Sequence, residues 1–200
     1  MQMLEKRFIP IHRGIGPESS MILSLLVRCM NQEDPIESIE CIFYDAKHRC
    51  LVATDRVLIS WVSVDIPALA FLRQHLGPES MRLMFVKGLG VKGFVVEESD
   101  RYPNWKRPIP DYEKWEQREN LFRAFHVFFN GESASLMTEI GIPLNIRHLR
   151  KLRGFDWTVR FDRKNLDKPV VFQSSKGEGN DVFAALMPIR MDLVREGEKR

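Results

Sequence analysis

Arg101-Tyr-Pro-Asn-Trp-Lys-Arg-Pro-Ile-Pro110 lies at the midpoint of a chain of 200 residues and contains three prolines. Proline locks φ and lacks a backbone donor, so this stretch can sustain neither a helix nor a central strand. Residues 99–112 therefore read as an extended linker between a first half, 1–98, and a second half, 113–200. A second informative stretch, Ala184-Ala-Leu-Met-Pro-Ile-Arg-Met191, lies near the C-terminus and reads as part of a strand over 182–189.

Outward from the linker, both halves show a similar order of elements. In the first half, residues 17–30 carry apolar side chains at 21, 22, 25, 26 and 29, the spacing of one helical face. Strands are predicted over 38–44, 50–54 and 57–64, each rich in β-branched or aromatic residues. Pro67 starts a short helix through Leu76, which Gly77 ends. Residues 81–87 and 93–97 form a hairpin around Gly88-Leu-Gly. In the second half a helix is predicted over 113–129, with Leu121, Phe122, Phe125, Phe128 and Phe129 on one stripe. A strand follows at 134–140, then a helix from Asn145, a good N-cap, to Arg153. Further strands fall at 157–162 and 170–174, before 182–189. The halves share element order without evident residue identity. The fold class expected is α+β, two tandem units, each a sheet with two helices on one face.

Hydrophobic residues make up 44% of the chain and charged residues 28%, with a net charge of only +3. Such a balance does not indicate nucleic acid by itself, so the placement of positive charge has to decide. Cys29, Cys41 and Cys50 are an odd set without Cys-x-x-Cys spacing, as expected of reduced thiols. The opening Met-Gln-Met-Leu-Glu-Lys-Arg does not resemble a signal peptide, and no run approaches the ~18 apolar residues of a membrane span. The expected location is cytoplasmic, with no membrane partner.

Among candidate sites, Gly88-Leu-Gly-Val-Lys-Gly93 satisfies Gly-x-Gly-x-x-Gly. It continues into the strand-like Phe94-Val-Val rather than a helix, so it reads as a hairpin turn and not a phosphate cradle. Lys176-Gly-Glu-Gly-Asn180 reads the same way. Asp45, His48 and Cys50 suggest a metal cluster, yet Asp45-Ala-Lys-His-Arg is more simply a polar turn. No Ser or Cys sits in a nucleophile elbow, and no carboxylate pair stands out by spacing. Neither an enzyme nor a cofactor is expected. In Ile146-Arg-His-Leu-Arg-Lys-Leu-Arg153, Ile146, Leu149 and Leu152 should face a sheet. Arg147, Arg150 and Lys151 then share the opposite face, with Arg153 on the flank and no acid among them, a spacing suited to phosphates. Arg118, Arg123 and His126 form a second basic edge diluted by glutamates, and the first half offers Arg28, Arg73 and His75. Phe8, Trp61, Trp115 and Trp157 read as packing residues. Trp105 is the exception, because burial is not assured in a linker.

Three segments, in order, resemble the bacterial sliding clamp, the beta subunit of the replicative DNA polymerase. Arg101–Pro110 is similar to that family's Arg-Phe-Pro-x-Tyr-x-Arg-x-x-Pro strand leading into the last domain. Gly141–Leu152 resembles its Phe-Asn-x-x-Tyr-Leu-x-x-x-Leu helix, and Leu186–Met191 its closing Met-Pro-Met-Arg-Leu strand. Ala53-Thr-Asp-Arg-Val-Leu-Ile59 is similar to Ala-Thr-Asp-Gly-x-Arg-Leu, with the glycine and one neighbour missing. The resemblance implies a non-enzymatic processivity factor whose helices line a hole around double-stranded DNA. It also implies a pocket for the short Gln-rich hydrophobic peptides of a DNA polymerase and clamp loader. On the basic faces read above, the DNA-facing residues would be Arg147, Arg150, Lys151 and Arg153, with Arg118, Arg123, Arg28 and Arg73; the pocket is what the resemblance carries across. The pocket takes Thr54 and Leu58, then Pro103, Arg107 and Pro108, then Asn145 and His148, and finally Met187, Pro188, Ile189 and Arg190. Two units instead of three per chain imply a homotrimeric ring of the phage type. The alternative is a clamp-fold adaptor or inhibitor that binds partners without encircling DNA.

Overall fold

The computed structural model describes residues 7–11, 15–30, 40–88, 91–99, 102–109, 111–118, 142, 144–175 and 181–188. Among these residues ten strands run in chain order: β1 (Arg7–Pro10), β2 (Ile42–Asp45), β3 (Cys50–Thr54), β4 (Leu58–Ser63), β5 (Met81–Gly88), β6 (Val91–Glu98), β7 (Glu116–Arg118), β8 (Thr158–Phe161), β9 (Val170–Ser175) and β10 (Asp181–Leu186). They form one sheet ordered β1-β6-β5-β2-β3-β4-β10-β9-β8-β7, and every adjacent pair is antiparallel. The linker divides the chain in sequence, but the sheet crosses from one half to the other without a break. At that seam β10 pairs with β4, Leu186 opposite Leu58 and Val182 opposite Val62.

Strand alternation sends neighbouring residues to opposite faces. On one face Leu51, Ala53, Leu58, Val62, Ala184 and Leu186 join a single buried cluster that runs from Ile9 to Leu186. Among the described residues three helices cover it: α1 (Pro17–Cys29), α2 (Ala70–Arg73, after a 3-10 turn at Pro67–Leu69) and α3 (Ile146–Lys151). Helix α1 has Pro17 in its first turn, Glu18 near its N-terminus and Arg28 in its last turn, all placed in accord with the helix dipole. It buries Ile22, Leu23, Leu25, Leu26 and Cys29. Ser19 Oγ ties it to the carbonyl of Ala68 at 2.6 Å. On the other face Val52, Ile59, Trp61, Val171 and Ala185 form a smaller cluster under Trp105 of the linker.

Several sequence expectations need correction. Glu116–Arg118 is not helical but forms the edge strand β7, paired with β8. The apolar stripe begins only at Leu121, so nothing in these three residues opposed the pairing; the stripe itself, Arg123 and the strand expected at 134–140 lie outside the described residues. The linker is not a strand: residues 105–108 turn, with Arg107 N bonded to Asn104 O and Ile109 N to Lys106 O. β1 was not foreseen, and Phe8 within it is 48% exposed. Gly93 lies opposite Pro10 in the β1–β6 ladder, where a Cβ would collide with the Phe8 ring and the Ile9 carbonyl. That glycine permits close strand approach.

Candidate partner-binding site

The two ends of the site are joined by a tight turn, Thr54-Asp-Arg-Val57, between β3 and β4. Thr54 Oγ1 donates to Leu58 O at 3.0 Å and accepts from Arg56 N at 3.1 Å. Asp55 Oδ1 accepts from Val57 N at 3.1 Å and Leu58 N at 2.7 Å. Arg56 takes φ +75°, the left-handed region that glycine occupies at little cost. The turn thus keeps a left-handed residue in the position after Thr-Asp, supplied by arginine.

On the linker face this turn borders an apolar cavity of about 260 Å³. Thr54, Arg56 and Val57 form one wall and Ile59 and Ala185 the floor. Pro103, Trp105 and Pro108 close it from the linker, and Met187 and Pro169 from the strand ends. Met187 is 38% exposed, and its N–H bonds Val57 O at 3.0 Å, which ties the end of β10 to the turn. Tyr102, also at the wall, stacks on Phe43 with centroids 4.4 Å apart. Its hydroxyl is buried without a hydrogen-bond partner, and burial pushes its pKa well up.

Trp105 anchors the linker. Its indole N–H donates to Asp45 Oδ2 at 2.8 Å, and the same oxygen lies 2.7 Å from His48 Nδ1. Burial works to raise the Asp45 pKa, but the Trp105 and His48 hydrogen bonds outweigh it and hold the carboxyl below its usual range. Asp45 and His48 therefore position the linker. No group suited to holding a metal ion occurs among the described residues.

Of the peptide-pocket residues expected from the sequence, Thr54, Pro103, Pro108 and Met187 converge on the cavity. Leu58 does not: it is fully buried on the helix face. The parity of β4 explains this, since Ile59, opposite Thr54, is the residue on the linker side, and a shift of one position reverses the face. Arg107 is exposed and is not in the cavity wall, and neither is Pro188. Ile189 and Arg190 lie outside the described residues. Asn145 caps α3, accepting from Arg147 N at 2.9 Å, and does not reach the cavity. His148 sits on the helix side, its Nδ1 2.8 Å from Asp55 Oδ2. Arg56, Val57, Ile59, Trp105 and Ala185 were missed; the alternation of β4 and β10 was the signal that could have found Ile59 and Ala185.

The basic residues also separate. Arg147, Arg150 and Arg153 are exposed. Lys151 is not turned toward open solvent alone: its ammonium lies 2.5 Å from Asp55 Oδ2. Arg28 bridges α1 to α3 through a 3.0 Å bond to the Arg153 carbonyl, and burial first, then the Arg153 charge, lowers its pKa. Arg73 faces Asp65 at 3.8 Å, a carboxylate already paired with Arg49 at 2.6 Å. Arg118 is in β7, and its side chain is outside the description. Asp55, with a side chain 4% exposed, thus joins the cavity turn to α3. Burial favours its neutral form, but Lys151, the Leu58 N–H and His148 outweigh that and lower its pKa.

No family model matches the sequence, and no curated protein does. Solved structures match in fold. DNA polymerase III subunit beta from Borrelia burgdorferi, in complex with a natural product, is 11% identical and superposes with a TM-score of 0.51, covering 96% of this chain and 65% of that one. The Helicobacter pylori beta clamp bound to a DNA ligase peptide is 14% identical, with a TM-score of 0.50, covering 96% of this chain and 68% of that one. The chain has the sliding-clamp fold. It spans about two thirds of the length of these two clamps. At such identities the likeness carries the clamp architecture and leaves each side chain to be read from its own surroundings. Within the clamp fold, the cavity lies on the linker face and α1–α3 on the other. No helix among the described residues is long and apolar enough to cross a membrane.

Proposed function

We propose that this chain is a sliding-clamp-like platform that docks short apolar peptides of DNA-replication partners in the linker-face cavity. One observation carries the reading: Thr54, Pro103, Pro108 and Met187, from three segments remote in sequence, line one apolar cavity. The mixture of methionine, prolines and aliphatic side chains gives an adaptable apolar receptor, and a backbone or polar group can be held at its rim. The H. pylori clamp of similar fold was solved with a DNA ligase peptide, which supports a peptide as the occupant.

The fuller reading is a processivity factor that encircles duplex DNA. Two tandem units per chain, consecutive along one sheet, would close a six-unit ring as a homotrimer. The exposed Arg147, Arg150 and Arg153 would then supply loose phosphate contacts without base readout. Lys151, Arg73 and Arg28 are engaged within the protein, which favours a second reading: a clamp-fold adaptor that binds partners without a ring. The solution mass separates the two. A trimer of the 23.4 kDa chain, retained on closed circular DNA and released on linearisation, supports the ring; a monomer at high concentration supports the adaptor. A labelled Gln-Leu-Ser-Leu-Phe peptide that binds equally well to the wild type and to Met187→Glu would overturn the docking site itself.

A further inference from the structure

Beside the docking cavity the linker face holds a second hollow, of about 340 Å³. Its floor is aromatic: Trp61, Trp105 and Tyr112, with Ile109 beside them. Trp105 lines both hollows, so the two adjoin with its indole as the sill between them. The rings are fixed in place. Trp61 stacks on Phe183 at 5.3 Å and meets Trp105 at 6.0 Å, while Tyr112 lies 6.5 Å from Phe183. Lys106 holds its ammonium 5.3 Å from the Trp105 ring centroid and is otherwise exposed. Among the described residues, His48 and Lys106 are the titratable nitrogen groups of the second hollow and Arg56 that of the first, and no carboxylate lines either. Asp45 is buried and bonded to Trp105 and His48, and the exposed Asp111 and Glu113 flank Tyr112 in the chain without lining the hollow.

We propose that the Trp61–Trp105–Tyr112 hollow is a second docking subsite, which takes an aromatic side chain flanked by acidic residues from the same partner peptide that fills the cavity. The inference rests on the docking function above and specifies its partner. A flat aromatic floor gains most from a ring laid against it, and a lining that holds the Lys106 ammonium and no carboxylate favours a carboxylate beside that ring. The cavity next door, walled largely by Val57, Ile59, Ala185 and Met187, offers few partners to the polar edge of a nucleobase. A peptide is therefore favoured over single-stranded nucleic acid, which aromatic platforms with lysine also bind.

The test is fluorescence polarisation with the full chain and four labelled peptides. The first is Gln-Leu-Ser-Leu-Phe. The second and third carry a Trp-Glu-Glu extension, through a Gly-Ser spacer, at the C-terminal or the N-terminal end. The fourth carries Trp-Lys-Lys on whichever end gives the tighter binding. One acidic extension should tighten binding about tenfold over the short peptide, the scale of one well-seated aromatic anchor. Lys106→Glu should abolish that gain and leave the short peptide unaffected, and Met187→Glu should weaken both. Both residues are exposed, and circular dichroism confirms that the variants fold. The subsite is overturned if neither extension tightens binding, if the lysine version gains equally, or if Lys106→Glu keeps the gain. It is also overturned if labelled oligothymidylate binds the hollow in competition with the extended peptide. Binding of only the extended peptide would leave the subsite standing and remove the cavity reading. Binding of none would remove both.

Discussion

The two faces of the sheet are built on opposite plans. The linker face is held by aromatic rings, and its polar anchors, Asp45 and His48, lie beneath Trp105, leaving an apolar cavity open beside them. The helix face is a continuous core of aliphatic and aromatic side chains roofed by α1–α3, where Lys151 is turned onto Asp55 and Arg28 onto the Arg153 carbonyl, while Arg73 meets Asp65 at the surface. The two surfaces of one sheet thus differ: one leaves an apolar cavity beside the linker, the other packs the helices onto the core. A basic run in a sequence does not equal a basic surface, because a carboxylate remote in sequence can take up one of its members.

The sharpest way to break this contrast is at Asp55, which belongs to both sides. Asp55→Ala leaves Lys151 and His148 without their carboxylate and the Val57 and Leu58 N–H groups without an acceptor. A loss of about 3–5 kcal/mol in urea unfolding is expected, the range for removing one partner of a buried pair; a loss below ~1 kcal/mol would show that the turn and α3 are independent. Next comes Trp105→Ala. It empties the sill between the hollows and should cost about 3–5 kcal/mol, with peptide binding lost at temperatures where the protein remains folded. If binding survives, the cavity does not depend on the linker.

Acid should act through the same carboxylates. Asp45 and Asp55 both have lowered pKa values in the folded state. A lowered folded pKa means that the unfolded chain takes up protons first as the pH falls. Their stabilisation is therefore complete well above the ordinary aspartate value of ~3.9 and fades as the pH drops through it toward the folded values. Unfolding midpoints measured from pH 6 down to pH 2 should fall below about pH 4, and Asp55→Asn should flatten part of that slope. An unchanged slope in the variant would assign acid sensitivity elsewhere.

A smaller effect tests the helix face. Arg147→Ala, Arg150→Ala and Arg153→Ala together should reduce retention on circular DNA with little change in stability. Lys151→Ala should do the reverse, losing stability through Asp55 while having less effect on DNA. Equal DNA defects would return Lys151 to the phosphate-facing set. The smallest expected change is at Tyr102, whose hydroxyl is buried and unpartnered. Tyr102→Phe should leave the stack on Phe43 in place and raise stability by up to about 1 kcal/mol; a decrease would mean that the hydroxyl has an acceptor in solution.

The strands were legible where turn signals bounded β-branched runs. β3, β4, β5, β6, β8 and β9 fall within a residue or two of their expected limits. Asn145 was readable as an N-cap from its position before Ile146. β1 was hidden by its shortness and by Pro10, and β7 by a helical stripe that begins just after it. In the site, motif resemblance located Thr54, Pro103, Pro108 and Met187, but it could not distinguish Leu58 from Ile59, since the face depends on pairing with β3 and β10. Nor could it show that Lys151 meets Asp55, almost a hundred residues earlier in the chain; such a contact exists only once the sheet has brought the halves together.

The β4–β10 seam has a mechanical consequence. Five consecutive residue pairs, Leu58–Val62 against Leu186–Val182, are zipped across it, so flexing the board along this line would tear main-chain bonds rather than swing a hinge. In a ring of the kind proposed above, a gate for a long filament would therefore open at the outer margins of the sheet, where one copy would meet the next.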